Sequence, residues 1–158
     1  YQGVRRRFEI KGIHNDIMVV DDYAHHPTEV EATLQAAKAG WDRRIVAVFQ
    51  PHLFTRTQAF FREFAKTLQI ADVVVITDIY PAREQPIPGV TAKLIYVECQ
   101  RSMGDQCFHI PDLDDLEKIL DEIVKPNDLI ITMGAGSIWR YSESYTNHLA
   151  FLADGVKS

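Results

Sequence analysis

The residues best suited to chemistry lie in one short stretch, D-D-Y-A-H-H-P, at positions 21–27. It holds two carboxylates, a phenol and two imidazoles, and it directly follows Ile17–Val20, an apolar run typical of a buried strand. Such groups act as general acids, general bases or metal ligands. The stretch therefore fits a catalytic centre, a metal site, or one wall of a larger site. Taken alone, it also fits a structural role, with an aspartate capping the next helix and both histidines packed.

Three further polar loops follow apolar runs in the same way. They are Q-P-H-L-F-T-R-T from Gln50, T-D-I-Y-P-A-R-E from Thr77 and G-A-G-S from Gly134. In an open parallel sheet, the ligand crevice lies outside the carboxyl ends of the strands. We therefore expect all four loops to open on one edge of a sheet.

The second loop has the pattern of an anion site. Thr55 is predicted to cap a helix, with His52 in the loop and Arg56 in the first helical turn. An arginine gains nothing from the positive end of a helix dipole, so an anionic ligand shared by the helix terminus and Arg56 would explain the placement. The alternative is a surface ion pair between Arg56 and an acid.

Three consecutive arginines, at 5–7, precede the first predicted strand. In an acidic chain they favour phosphate contact by at least one of them. Because strand side chains alternate, Arg5 and Arg7 are expected to face one way and Arg6 the other. A solvated basic run is the alternative.

Several known catalytic and ligand-binding motifs are absent from the sequence. It has no Walker A loop, no H-E-x-x-H helix, no G-x-S-x-G elbow and no cysteine-based zinc spacing. The G-A-G at 134–136 lacks the third glycine of a dinucleotide fingerprint. We expect it to form a tight strand-to-helix turn with exposed N–H groups, which either touches a ligand carboxylate or simply packs.

Composition narrows the class of protein. The 158 residues carry a net charge of −5, which argues against a general electrostatic grip on nucleic acid. No run approaches the roughly 18 apolar residues of a membrane span, and no signal peptide is visible, so we expect a cytoplasmic chain without membrane contact. Cys99 and Cys107 are expected to be reduced thiols.

Short β-rich runs alternate with longer amphipathic stretches, which predicts one α/β domain over residues 1–158. A turn at Gly12–Asp16 should make a hairpin of the first two strands, and later strands joined by helices should run parallel. We expect a three-layer domain with a mostly parallel sheet of about six strands. The predicted strands are Arg7–Lys11, Ile17–Val20, Ile45–Phe49, Val73–Ile76, Phe108–Ile110 and Leu129–Met133. The predicted helices cover about 27–39, 57–70 (with a core stripe of Phe60, Phe61, Phe64 and Leu68), 91–103, a segment capped by Asp112, and 137–152.

Five motifs occur in an order that resembles the C-terminal domain of Mur ligases. They are R-R-F-E at 6–9, D-D-Y-A-H-H-P-T-E at 21–29, F-Q-P-H-x-x-T-R-T at 49–57, D-I-Y-P-A-R-E at 78–84 and G-A-G-x-I at 134–138. The resemblance implies a Rossmann-like third domain of a three-domain enzyme of peptidoglycan synthesis. The N-terminal UDP-binding domain and the central ATPase domain, which would hold most of the Mg²⁺ contacts, would lie outside this chain. An isolated C-terminal fragment would be inactive.

The motifs match best the branch of the family that joins L-alanine to UDP-N-acetylmuramate through an acyl phosphate formed with ATP. The resemblance places ATP against Arg7, Asp22, Tyr23 and His25, with Arg7 on phosphate and Asp22 on the ribose hydroxyls. It places the amino acid and the anionic intermediate against Tyr23, His52, Arg56 and Ser137. It implies no catalytic residue and no metal ligand within this domain. Leu53 stands where many members have arginine, and Ser137 where they have an acid.

Three other interpretations stay open. The branch that attaches a whole tripeptide to the same sugar has a similar D-D-x-A-H-H-P segment, but it lacks the F-Q-P-H and D-I-Y-P-A-R-E motifs. A metal-dependent hydrolase would use the clustered groups Asp21, Asp22, His25, His26, Glu29 and His52. A binding module without catalysis also fits the absence of catalytic motifs.

Overall fold

The computed structural model describes residues 7–157, the last two of them by backbone alone. Within these residues, six strands form one sheet in the order β1-β2-β6-β3-β4-β5, in which only β1 runs antiparallel to its neighbour. The strands are β1 (Glu9–His14), β2 (Ile17–Asp22), β3 (Arg44–Phe49), β4 (Val73–Thr77), β5 (Cys107–Ile110) and β6 (Asp128–Met133). The predicted sheet of about six mostly parallel strands is confirmed.

Helices cover both faces of this sheet, as the three-layer prediction requires. The helices are α1 (Pro27–Gly40), α2 (Phe54–Leu68), α3 (Lys93–Met103), α4 (Leu116–Ile123) and α5 (Ile138–Lys157). One core lies between the sheet and α1, α2 and α3, and a second lies between the sheet and α4 and α5. Alternate residues of β2 enter different cores, with Met18 in the first and Val19 in the second. Burial on both faces explains why the parallel strands read as continuous apolar runs.

The opening hairpin differs from its prediction. The turn is only Asn15 and Asp16, both at positive φ (53° and 61°), a pattern that suits a two-residue hairpin loop. Gly12 lies inside β1 at a register shift, so it marks a bulge and not the start of a turn. The strand therefore begins at Glu9 and continues to His14, and Arg7 lies before it. The alternation predicted for Arg5 and Arg6 falls outside the described residues.

Two helices also depart from expectation. On α2, Phe64 and Leu68 are buried as predicted, but Phe60 is 39% exposed and is not part of the core. The last helix continues past 152 to Lys157. Among the described residues, no helix has the length and apolar character needed to cross a membrane.

Candidate functional site

The four polar loops meet at the carboxyl edge of the sheet, as the sequence predicts. The strands β2, β6, β3 and β4 are consecutive neighbours, so the loops that follow them adjoin one another. The N–H of Gly134 donates to the carbonyl of Asp22 (3.2 Å), and the N–H of Gln50 donates to that of Met133 (3.0 Å). These two bonds join three of the four loops, and the N–H of Leu53, which donates to the carbonyl of Tyr80 at 2.9 Å, joins the fourth.

The two aspartates at the end of β2 have different surroundings. Asp21 is buried and accepts a hydrogen bond from the Thr132 hydroxyl at 2.7 Å. Asp22 accepts from the N–H groups of Phe8 and Ala24, both at 2.8 Å. These bonds use one acceptor position on each oxygen of Asp22, and a carboxylate has about four such positions. Asp22 thus ties the entry of β1 to its own loop and keeps acceptor capacity toward the groove beside it.

That groove has a cavity volume of about 460 Å³. Arg7, Asp22 and Tyr23 line it together with Trp41, which stacks on Phe8 at a centroid distance of 4.9 Å. The structure therefore brings together three of the four residues that the family resemblance places against ATP. Arg7 is exposed at the rim, and the remaining wall is α1.

The fourth residue, His25, links the groove to the next loop. Its ring lies 5.0 Å from that of Tyr23 and 6.1 Å from that of His52. Glu29, in the first turn of α1, accepts from the backbone N–H groups of His25 and His26, both at 3.1 Å. Burial alone would raise the pKa of Glu29, but these hydrogen bonds and the nearby histidines hold it below its ordinary value. Glu29 is thus the acid that orders the H-H-P segment.

His52 and Arg56 carry polar atoms that the chain itself does not satisfy. His52 Nδ1 and Arg56 Nη1 are both buried without a hydrogen-bond partner. An unpaired buried donor costs about 1–3 kcal/mol, so such groups call for a ligand or a water. Burial first, then the charge of Arg56 and then that of His25, lower the pKa of both His26 and His52. A bound anion would accept from the unpartnered nitrogens and offset the positive charge of Arg56.

The N-terminus of α2 is not available to that anion. The helix begins at Phe54, and Thr55 is not its cap, contrary to prediction. Instead, Glu84 from the loop after β4 accepts from the N–H groups of Phe54 (2.5 Å) and Thr55 (3.1 Å) and from the Thr55 hydroxyl. The predicted sharing of a ligand between Arg56 and the helix terminus is therefore wrong. Arg56 is left as the cation facing the site from this helix.

The G-A-G turn packs internally. Gln50 Oε1 accepts from the N–H of Ile138 at 3.1 Å, and Gln50 Nε2 donates to the Ser137 hydroxyl at 3.2 Å. A methyl group on Gly136 would lie 2.4 Å from Cγ of Tyr80, so only glycine fits at that position. The expectation of exposed N–H groups is thus wrong for Gly134, which donates to Asp22.

Ser137 lies apart from the histidines. It lines a second depression of about 460 Å³ that includes Gln50, Asp78 and Tyr80. The ring of Tyr80 also stacks on His52, with centroids 5.6 Å apart and planes inclined by 17°. Tyr80 is therefore the shared wall between the depression at Ser137 and the site at His52.

The geometry does not support a metal centre in these loops. Oδ1 of Asp21 accepts from the Thr132 hydroxyl, and Oε1 of Glu29 accepts from two backbone N–H groups. Within residues 7–155, the side chains that converge closely enough to hold an ion are Glu117, Asp121 and His148 on α4 and α5, and none belongs to the hydrolase hypothesis.

Sequence reasoning missed the supporting residues Gln50, Tyr80 and Glu84, and it gave Glu29 only to the metal hypothesis. Glu29 had a usable signal, because an acid three residues after a helix cap is typical of a capping box. Gln50, Tyr80 and Glu84 had none beyond their place in quoted motifs, because their partners are distant in sequence.

Comparison with known proteins specifies the family to which this fold and this edge belong. The family model described as "Mur ligase, glutamate ligase domain" matches residues 6–136. This chain belongs to the Mur ligase family, whose members are ligases.

Individual relatives narrow the similarity further. The chain is 52% identical over 151 residues to the UDP-N-acetylmuramate–L-alanine ligase of Salinibacter ruber, covering 94% of the chain and 32% of that protein. It is 34% identical to the crystal structure of UDP-N-acetylmuramate-alanine ligase from Thermotoga maritima, with a TM-score of 0.73, covering 90% of this chain and 29% of that one. It is 32% identical to a domain assigned to a UDP-N-acetylmuramate:L-alanyl-γ-D-glutamyl-meso-diaminopimelate ligase of Haemophilus ducreyi, with a TM-score of 0.66, covering 90% and 99%. The chain spans about a third of the length of the curated relatives it matches.

Proposed function

We propose that this chain is the C-terminal domain of a cytoplasmic ATP-dependent ligase that joins L-alanine to UDP-N-acetylmuramate. The observation that carries the proposal is the similarity, along nearly the whole chain, to ligases of that name at about 50% identity. The N-terminal UDP-binding domain and the central ATPase domain would complete the enzyme. In the reaction, ATP phosphorylates the muramoyl carboxylate, and the amine of alanine then displaces phosphate to form the amide.

The groove at Arg7 would receive the nucleotide. Arg7 is exposed at its rim, and a guanidinium can hold phosphate oxygens with two parallel hydrogen bonds. Asp22 retains acceptor positions for the ribose hydroxyls, while Tyr23 and His25 form the wall toward the next loop. Magnesium prefers oxygen ligands, and the nitrogen-rich surface of His52 and Arg56 does not suit it. We therefore assign magnesium to the central domain.

His52 and Arg56 would bind the carboxylate of alanine and steady the anionic intermediate. Their unpartnered nitrogens support this role, because Arg56 Nη1 and, in the tautomer protonated at Nδ1, His52 Nδ1 can both donate to one carboxylate. Ser137 is a less direct contact. It lies across Tyr80 from His52, so it would shape the pocket for the small side chain without touching the carboxylate.

The test is ligation by the full-length protein that contains this chain. With ATP, Mg²⁺ and UDP-N-acetylmuramate, we expect L-alanine to yield the amide with release of ADP and phosphate, and the isolated chain to yield none. The similarity to the tripeptide-ligase domain makes tripeptide ligation the second candidate. Product with L-alanyl-γ-D-glutamyl-meso-diaminopimelate and none with L-alanine would replace the first proposal by the second. Product with neither would refute both.

A further inference from the structure

The loop after β4 contains a carboxylate to which the proposed mechanism gives no role. We propose that Glu84 is a positioning residue: by binding the N-terminus of α2, it fixes the geometry in which Arg56 and His52 meet an anionic ligand. This inference rests on the proposed function for the identity of the ligand, the carboxylate of alanine. Glu84 itself does not touch the ligand in this proposal.

The need for such a residue arises within α2. Its N-cap position is Leu53, which has no polar side chain, and its first turn contains no acid. Leu53 has φ of 73°, a left-handed backbone conformation that a branched residue adopts only when its surroundings impose it. The first turn therefore depends on contacts from elsewhere in the chain.

Glu84 supplies those contacts from a tight turn. The N–H of Glu84 donates to the carbonyl of Pro81 at 3.0 Å, which closes the loop and presents the side chain to α2. Its two oxygens then accept three hydrogen bonds from Phe54 and Thr55. Arg56 is the next residue along the helix.

A second set of main-chain hydrogen bonds joins the same two loops, at Pro51 and Leu53. The N–H of Leu53 donates to the carbonyl of Tyr80 at 2.9 Å, and the N–H of Tyr80 donates to that of Pro51 at 2.8 Å. The ring of Tyr80 stacks on His52. The segment from Pro51 to Thr55, which contains His52 and directly precedes Arg56, is therefore held against the segment from Tyr80 to Glu84.

The charge of Glu84 also determines where an anion can bind. The hydrogen bond from the Thr55 hydroxyl is the largest influence on Glu84, and it helps to lower the pKa of this carboxyl below its ordinary value. The group is therefore ionised at neutral pH, and it occupies the positive end of α2 in place of a ligand. An incoming carboxylate must take its hydrogen bonds from Arg56 and His52, and the negative charge of Glu84 repels it from the helix end.

Kinetics of the full-length ligase test this role. Glu84→Ala should raise the KM for alanine by about ten- to a hundredfold, the scale expected for a misplacement of about 1 Å. The KM for ATP should not change. Glu84→Gln retains an oxygen that accepts from the backbone, so it should recover most of the loss. Glu63→Ala, at an exposed position of the same helix, is the matched control and should behave as wild type.

A double-mutant cycle separates positioning from other roles. Because Glu84 acts through Arg56 and His52, Glu84→Ala should raise the alanine KM of Arg56→Met by much less than it raises that of the wild type. Additive effects, or a lowered Tm with an unchanged alanine KM, would overturn the proposal. So would equal damage by Glu84→Gln and Glu84→Ala, because the backbone hydrogen bonds that glutamine can retain would then have no positioning effect.

A readout without substrate distinguishes this proposal from the proposed function. In full-length protein with ¹³C-labelled histidine, Glu84→Ala should change the ring chemical shifts of His52, because the segment that holds His52 loses its contacts with Glu84, whereas Glu84→Gln should leave these shifts near those of the wild type. If the ligase does not use alanine but this pattern occurs, the proposed function fails while the positioning role stands. If the His52 ring shifts are the same in wild type and Glu84→Ala, the positioning role fails.

Discussion

Replacing Arg56 with methionine tests whether its buried nitrogen exists for a ligand. Methionine retains much of the aliphatic stem but removes the guanidinium, whose Nη1 has no partner in the folded chain. Removing an unsatisfied buried donor should not lower the free energy of unfolding, since such a donor costs about 1–3 kcal/mol. Ligand binding should suffer instead.

The expected size follows from the lost hydrogen bonds. A hydrogen bond to a charged group contributes about 1.5–3 kcal/mol, and about 1.4 kcal/mol corresponds to tenfold in affinity. The KM for alanine should therefore rise by about 10- to 150-fold, while the KM for ATP stays near wild type. Steady-state ligation by the full-length enzyme at saturating ATP and UDP-N-acetylmuramate measures both.

Arg62→Met provides the matched control. Arg62 lies on the same helix, is exposed, and contacts the ring of Phe61 at 4.6 Å from the centroid. It should show wild-type kinetics. If Arg56→Met shows an unchanged alanine KM, or if its main effect is a lowered Tm, then the inference from the unpartnered nitrogen to a bound carboxylate is wrong.

Three further predictions concern pH, packing and the loop at β2. Folding lowers the pKa of His26 and His52 below the ordinary value of 6.5, so the unfolded chain binds more protons at these two residues. The free energy of unfolding should therefore fall as the pH drops from about 7.5 toward the folded pKa values. Urea unfolding measures this slope, which should be shallower in Arg56→Met; equal slopes would rule out the influence of Arg56. Gly136→Ala forces a methyl group against Tyr80 and should cost about 1–3 kcal/mol in thermal unfolding. Gly40→Ala is the control, because the added methyl group meets nothing within 4 Å and should not destabilise the chain. Similar Tm values for the two variants would contradict the close contact between Gly136 and Tyr80. Asp22→Asn weakens two charge-assisted bonds from backbone N–H groups and should cost about 1–3 kcal/mol in urea unfolding. A change within about 0.5 kcal/mol, the range of ordinary surface substitutions, would show that Asp22 has no structural role.

Much of the fold could be predicted because its signals are local. Val30, Leu34 and Ala37 recur at helical spacing, and all three are buried on α1. The hairpin was misplaced because Gly12 resembles a turn residue by type, while the backbone twist is accommodated at Asn15 and Asp16. Glycine marks both bulges and turns, and residue type alone does not separate them.

The site could be predicted only in outline, because its support is non-local. Loops at strand ends identified the edge that carries His52 and Arg56. The capping of α2 by Glu84 and of α5 by Gln50 joins residues far apart in sequence, and no periodicity encodes such pairs. Threonine is favoured at helix caps, yet here a carboxylate from another loop accepts from the N–H groups at the start of α2. The Thr55 hydroxyl donates to that same carboxylate.

A crystal structure of the full-length protein with L-alanine and a non-hydrolysable ATP analogue tests the central claim most directly. The account predicts the alanine carboxylate within about 2.7–2.9 Å of Arg56 Nη1, the distance of a charge-assisted hydrogen bond, and within hydrogen-bond reach of His52 Nδ1. Alanine bound elsewhere, with both nitrogens still unpartnered or bonded only to water, would contradict it.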